Sequence, residues 1–423
     1  MDEYTSDVNF VFKSQDGGFD KLPAHKNLLI ASSDVFRVMF DGRWKETDSV
    51  QIDDASVDSF QEFLRFFYFD EVKLTMANIE VVIDLGKRYE MSGCVSACAR
   101  FLEYNMTTEN VCFVYELAIL YGLTKLQRIC EMTIAIDSEA TFKSSFFLDC
   151  HLEVLRRIVN LKMLSCSETV VFKACMEWVR AVSNEKTVTK TLVEKHLGKL
   201  FYDIRFASMS IIEFGPIFLR NRSLFPIEEH QDILLAIMSK EHKPKFFNGK
   251  NRLDACDLTR PKVGCIREYD DATEMEHKIG EPISTTFHVN ATLLLRGIIC
   301  AEMFRLENWP IAMTKDLTGR LTIIEIRGRN SNGMSSIVYV DEQIILKAKQ
   351  DNCIELNKPI IIRRGIKYKI QLDLNLPFTS CSLIYFKSAE MNIEKGTCLK
   401  FSGDTMKNKK RRGIVYGLQF TRF

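Results

Sequence analysis

The chain has 423 residues, 46% of them hydrophobic and 27% charged, with a formal net charge of +1. That length exceeds one ordinary domain, and the composition supplies apolar material for several cores. So even a charge balance argues against a dedicated nucleic-acid or membrane-surface binder, which would carry a basic excess.

No window approaches ~18 uninterrupted apolar residues, so no transmembrane helix is expected. The opening MDEYTSDVNF is acidic and polar, unlike a secretory leader. The cytoplasm is the expected location, with the nucleus as the alternative. The 13 cysteines are irregularly spaced and form no C-x-x-C, so buried, reduced thiols are expected and no metal site.

In chain order, DVNFVF (7–12) and the segment after Asp16-Gly17-Gly18 predict a hairpin. Apolar spacing from His25 to Phe40 predicts one helix, and Val50 with Ile52 a short strand. In SVDSFQEFLRFFYFD, Phe60, Phe63, Leu64, Phe67 and Tyr68 recur at helical spacing behind a Ser56 cap. Residues 78–91 and 94–102 read as a helical pair. From 106 to about 240 the pattern is helical, opening with 107–122 and its partner 124–136. Further helices are expected at FKSSFFLDC, HLEVLRRIVN, ETVVFKACMEWVRAV, where Trp178 reads as core, and SIIEFGPIF. After Lys243-Pro244 the period becomes two. GIKYKIQLDL alternates Ile366, Tyr368, Ile370 and Leu372 against polar residues, and KPIIIRR before it predicts a hairpin bent at Arg364-Gly365.

One loop stands apart. MFDGRWKETD places Trp44 among polar residues, where so large an indole either folds back or meets a partner.

DVNFVF, PAHKNLLIASSDVFRVMFDGRWKE and SVQIDDASVDSFQEFLRFFYFDEV together resemble a BTB (POZ) domain. NVCFVYELAILYG and ETVVFKACMEWV look like a BACK domain. ISTTFHVN…LLLRGI and ELNKPIIIRRGIKYKI resemble, more distantly, the PHR β-sandwich that ends some BTB–BACK proteins. The implied fold is multidomain α+β: a BTB/POZ α/β domain (1–105), an all-α BACK domain (106–244) and a PHR-like antiparallel β-sandwich (245–423).

The resemblance implies a homodimer that recruits a protein substrate to a cullin-3 ubiquitin ligase and has no active site or cofactor of its own. Such domains bind cullin by a φ-x-E motif after a helix ending M-F-x-G, here Phe40, Trp44 and Glu46, together with the helical pair 107–136. Asp7 and Lys26 correspond to a charged pair in the BTB dimer groove. The alternative is a dimeric scaffold or transcription-linked protein that meets no cullin; no DNA-reading tail accompanies the domain.

His25 reads as structural, since no serine or cysteine motif accompanies it. KNKKRR (407–412) reads as a solvated loop. Phosphate-loop and H-E-x-x-H patterns are absent.

Overall fold

Alternation in Val8-Asn9-Phe10-Val11-Phe12 sends Val8, Phe10 and Phe12 to one face, and all three are buried. In the computed structural model their strand, β1 (Val8–Lys13), pairs antiparallel with β2 (Phe19–Ala24) and parallel with β3 (Ser49–Ile52). The structure describes all residues except 1–3, 14–17, 42–47, 70–71, 240, 256–261, 267–271, 279–281, 301–315, 331–332, 348–349, 376–379, 387–389, 395, 403, 407–408, 412–414 and 422–423. Two compact units emerge: residues 1–162 with 166–252, and residues 163–165 with 253–423.

In the first unit, helices α1 (Lys26–Ser32), α2 (Asp34–Phe40), α3 (Val57–Tyr68), α4 (Ile79–Arg88) and α5 (Ser92–Asn105) accompany the small sheet. Phe10 meets Phe60 at 4.8 Å between ring centroids and Phe36 at 5.9 Å, while Phe36 stacks on Tyr89 at 4.4 Å. Such aromatic pairs add roughly 0.5–1.5 kcal/mol each beyond the burial of their area.

The single helix expected from His25 to Phe40 is two. Ser33 takes an extended conformation and caps α2 by accepting from the Phe36 N–H at 3.2 Å. Its hydroxyl donates to the Tyr89 carbonyl at 2.7 Å, so the break is held by tertiary structure. Ser56 caps α3 as expected, accepting from the Ser59 N–H at 3.3 Å.

The rest of the unit is helical: α6 (Val111–Leu120), α7 (Thr124–Ile136), α8 (Ser138–Phe142), α9 (Ser145–Leu148), α10 (Leu152–Asn160), α11 (Glu168–Ser183), α12 (Lys190–His196), α13 (Ile211–Arg220) and α14 (Ile227–Met238). FKSSFFLDC forms only the end of α8 and the short α9, because Ser144 stops one helix and caps the next. Trp178 is buried and donates its indole N–H to the Cys150 carbonyl at 3.0 Å. Phe206 anchors an aromatic cluster with Phe225 and Phe247 at 5.3 and 5.1 Å.

Beside α11 lies an ion pair with both side chains almost wholly buried: Arg252 Nε to Glu168 Oε1 at 2.5 Å. The same guanidinium donates to the Val159 and Leu161 carbonyls at the end of α10. Such a buried charge holds only because it is paired and its remaining donors are satisfied.

The second unit is β-structure: β4 (Met163–Leu164), β5 (Leu253–Asp254), β6 (Val263–Ile266), β7 (Ala272–Lys278), β8 (Ile283–Val289), β9 (Leu293–Cys300), β10 (Leu317–Asn330), β11 (Gly333–Leu346), β12 (Asn352–Ile362), β13 (Lys367–Leu374), β14 (Ser380–Phe386), β15 (Glu390–Glu394), β16 (Thr397–Ser402), β17 (Asp404–Met406), β18 (Lys409–Arg411) and β19 (Val415–Thr421). The main sheets run β11-β10-β13-β8-β16-β15 and β12-β9-β19-β6, and their pairings are antiparallel. One core joins them: Leu321, Phe287, Tyr368 and Ile370 from the first sheet with Ile298, Ile360, Ile362 and Leu418 from the second. The arrangement is sandwich-like.

The hairpin expected across Arg364-Gly365 is not one. β12 pairs with β9, whereas β13 pairs with β10 and β8, so the turn carries the chain from one sheet to the other. Gly365, at φ +74°, supplies the left-handed conformation this arch needs. Of KNKKRR, residues 409–411 lie in β18, and the rest is outside the described residues.

Candidate docking surface of the first unit

Phe40 ends α2, half-buried, with its ring parallel to Phe36 at 5.9 Å. The Lys26 ammonium sits 5.7 Å from the Phe40 ring centroid and 3.5 Å from the Asp48 carboxylate, just before β3. Asp48 is itself held, its carbonyl accepting from the Asn9 N–H at 2.8 Å. Thus Phe40 and Asp48, which flank the segment carrying Trp44 and Glu46, meet the same cation. Trp44 and Glu46 lie outside the described residues.

Asp7 and Lys26 come together through the main chain. The Asp7 carboxylate accepts from the Lys26 backbone N–H at 2.7 Å, at the first residue of α1, while the Lys26 ammonium turns to Asp48. A carboxylate at a helix N-terminus meets both an open donor and the positive end of the helix dipole.

His25 is satisfied on both ring nitrogens, Nδ1 with the Tyr68 hydroxyl at 2.9 Å and Nε2 with Thr5 Oγ1 at 2.8 Å. The tautomer with Nε2 protonated satisfies both bonds, with Tyr68 O–H donating to Nδ1. Tyr68 also accepts from the His25 backbone N–H at 2.8 Å. Burial pushes the Tyr68 hydroxyl above its ordinary pKa, the charge of Asp7 adds to that, and the His25 N–H partly offsets it. This is a structural histidine that ties the start of α1 to the end of α3.

A second surface lies on α6. Phe113 and Leu120 stand at helical spacing on one side, with Glu116 between them. Phe113 meets the exposed Phe146 at 5.8 Å, Glu116 is hydrogen-bonded to His151, and Leu120 is 66% exposed. Inside the α6–α7 pair, Tyr115 O–H donates to Glu131 at 2.7 Å and Gln127 to the Ala118 carbonyl at 2.8 Å, which fixes the helices against each other. Sequence reasoning placed this pair but missed Phe146 and His151, which arrive from α9 and the start of α10. It also missed Asp48, which lies next to Lys26 only in three dimensions.

Among the described residues, no group of three His, Cys, Asp or Glu is placed to hold a metal ion, and no helix is long and apolar enough to cross a membrane. Among the described residues the cysteines form no disulfide, and most of them are buried.

Residues 2–106 match the BTB/POZ domain family, and residues 111–213 match the family described as BTB And C-terminal Kelch, or BACK. The chain therefore carries a BTB/POZ domain and a BACK domain, followed by a sandwich-like β unit.

It is similar to human BTB/POZ domain-containing protein 3, at 30% identity over 213 residues, covering 50% of this chain and 41% of that protein. It is likewise 31% identical to BTB/POZ domain-containing protein 6 of Xenopus tropicalis over 216 residues, covering 50% of this chain and 41% of that protein. These matches thus span about two-fifths of the relatives' length. The solved BTB domain of human gigaxonin aligns with 23% of this chain and 79% of that domain, at 22% identity and a TM-score of 0.20.

Proposed function

We propose that this protein is a substrate-recruiting adaptor of a cullin-3 RING ubiquitin ligase. The observation that carries the reading is the order of its parts, a BTB domain followed at once by a BACK domain. The BTB domain (1–105) dimerises, with Asp7 and Lys26 in the dimer groove. Phe40, Trp44 and Glu46 engage the cullin together with the helical pair 107–136 of the BACK domain (106–244). Phe113 and Leu120 give that pair an apolar outer stripe, and buried aromatic anchors of the Trp44 kind carry ~2 kcal/mol or more of an interface. Residues 245–423, a PHR-like sandwich, present a protein substrate.

No bond is made or broken by the chain itself. It acts by holding substrate lysines near the recruited ubiquitin-carrying enzyme, where effective concentration replaces chance encounter. The test is a pull-down with cullin-3. The double substitution Trp44→Ala, Glu46→Ala is expected to abolish capture while leaving the dimer intact; capture equal to wild type would overturn the reading.

A further inference from the structure

A helix on a protein surface ordinarily turns its apolar residues inward and its polar ones outward. α13 (IIEFGPIFLR) and α14 (IEEHQDILLAIM) do not keep to that division. Their inner sides are occupied: Phe214, Ile217 and Ile233 are buried, and His230 of α14 stacks on Phe218 of α13 at 3.6 Å. Yet Ile211, Ile212 and Leu219 of α13, with Ile227, Leu235 and Met238 of α14, are each between 49% and 82% exposed. At 3.6 residues per turn, Ile212 and Leu219 point away from Phe214 and Phe218, as Leu235 and Met238 point away from Ile233.

We propose that this outer face of α13 and α14 is a self-association surface that takes a second copy of the chain, separate from the BTB pairing. Area and charge both single out a second copy. At these exposures the six residues present roughly 700 Å² of apolar surface, more than the ~300–600 Å² of the largest such patch on a typical monomer. A symmetric pair would bury about 1,400 Å² in all, within the ~1,200–2,000 Å² of stable interfaces. The face therefore meets the size a stable pair needs without help from other parts of the chain.

The charges at the edge of the stripe are complementary to themselves. Glu213 and Arg220 are both exposed and stand two helical turns apart on one flank of α13. The Ser210 N–H and hydroxyl donate to Glu213 at 2.8 and 2.9 Å and hold its carboxyl below the usual range, so it stays charged. When α13 meets its copy antiparallel about a twofold axis, Glu213 of each copy lies beside Arg220 of the other. Combined with the BTB dimer proposed above, this second contact links copies into open chains.

The experiment is sedimentation of the full chain over a wide concentration range. The wild type is expected to grow in mass as its concentration rises through roughly the micromolar range, whereas the Ile212→Glu, Leu219→Glu variant keeps the mass of the dilute protein. Arg220→Glu alone should weaken association about tenfold, because both symmetry-related pairs turn repulsive, and Glu213→Lys alone should do the same. Mixing these two variants should restore association, since each then meets its opposite charge; the rescue also shows that both are folded. A wild-type mass that does not change with concentration leaves the face to a different protein and overturns the proposal. A mixture that associates no better than either variant alone overturns it as well. So does protection of Met238 from oxidative footprinting in the dilute protein, which would mean that the chain's own β unit covers the face.

Discussion

Replacing Arg252 by methionine tests the claim that the helical region is locked at one buried charge pair. Both side chains of the Arg252–Glu168 pair are about 5% exposed, so solvent screens them little. Methionine fills similar space but withdraws the hydrogen bonds to Glu168 and to the Val159 and Leu161 carbonyls. Breaking a buried pair from one side costs about 3–5 kcal/mol, because the remaining charge stays buried. Arg205 moderates this. Burial holds its guanidinium below its usual pKa, the charge of Arg252 lowers it further, and Glu168 supports it. With Arg252 gone, Arg205 becomes the nearer partner of Glu168, so a loss near 3 kcal/mol is expected.

A chain of several domains does not unfold in two states, so the assay is native-state hydrogen exchange of the amides in α10 and α11. Adding Glu168→Gln to Arg252→Met should recover part of the loss, because the uncompensated carboxylate is removed. A loss below about 1 kcal/mol, the size of a surface pair, would refute the reasoning.

Two other expectations follow from local structure. Ser33→Ala removes the cap of α2 and the Ser33 bond to the Tyr89 carbonyl, at a cost of about 1–3 kcal/mol; Ser33→Thr should cost less, and equal stability of the alanine variant and wild type, by hydrogen exchange of α2, would count against the break being held there. His230 stacks on Phe218 at 3.6 Å, and burial, with Arg222 adding to it, lowers its pKa below the ordinary 6.5. The unfolded chain therefore takes up the proton first, so the stabilisation from neutral His230 is present above pH 6.5 and lost as pH falls through that value toward the depressed folded one. NMR titration of the ring should give a midpoint below 6.5, and His230→Phe should remove this part of the pH dependence of α13–α14 exchange; a midpoint above 6.5 would sink the argument.

Much of the fold is legible because burial leaves a periodic mark. Phe60, Phe63 and Leu64 recur at helical spacing and are fully buried, and Tyr368, Ile370 and Leu372 alternate and are buried too. What periodicity does not carry is the partner. Alternation told which side of β12 and β13 faces a core, yet an arch between two sheets and a hairpin within one give the same pattern. Likewise the apolar spacing continues through Ser33, whose local cap of α2 is joined by a bond to the Tyr89 carbonyl that is remote in sequence. Of the candidate surface, the sequence marks Phe40 and Lys26 by motif. It carries no mark for Asp48, whose role comes from adjacency after folding, and Trp44 and Glu46 fall outside the described residues.

The order of strands in the smaller sheet bears on how the protein is made. β19 lies between β9 and β6, so a strand that follows all its sheet partners in sequence fills a central place among them. Until Val415–Thr421 leaves the ribosome, β6 and β9 face each other across a gap with unpaired main-chain groups and an open core. The smaller sheet is therefore completed only once this late strand is made. Removal of Val415–Thr421 would take a central strand out of this sheet.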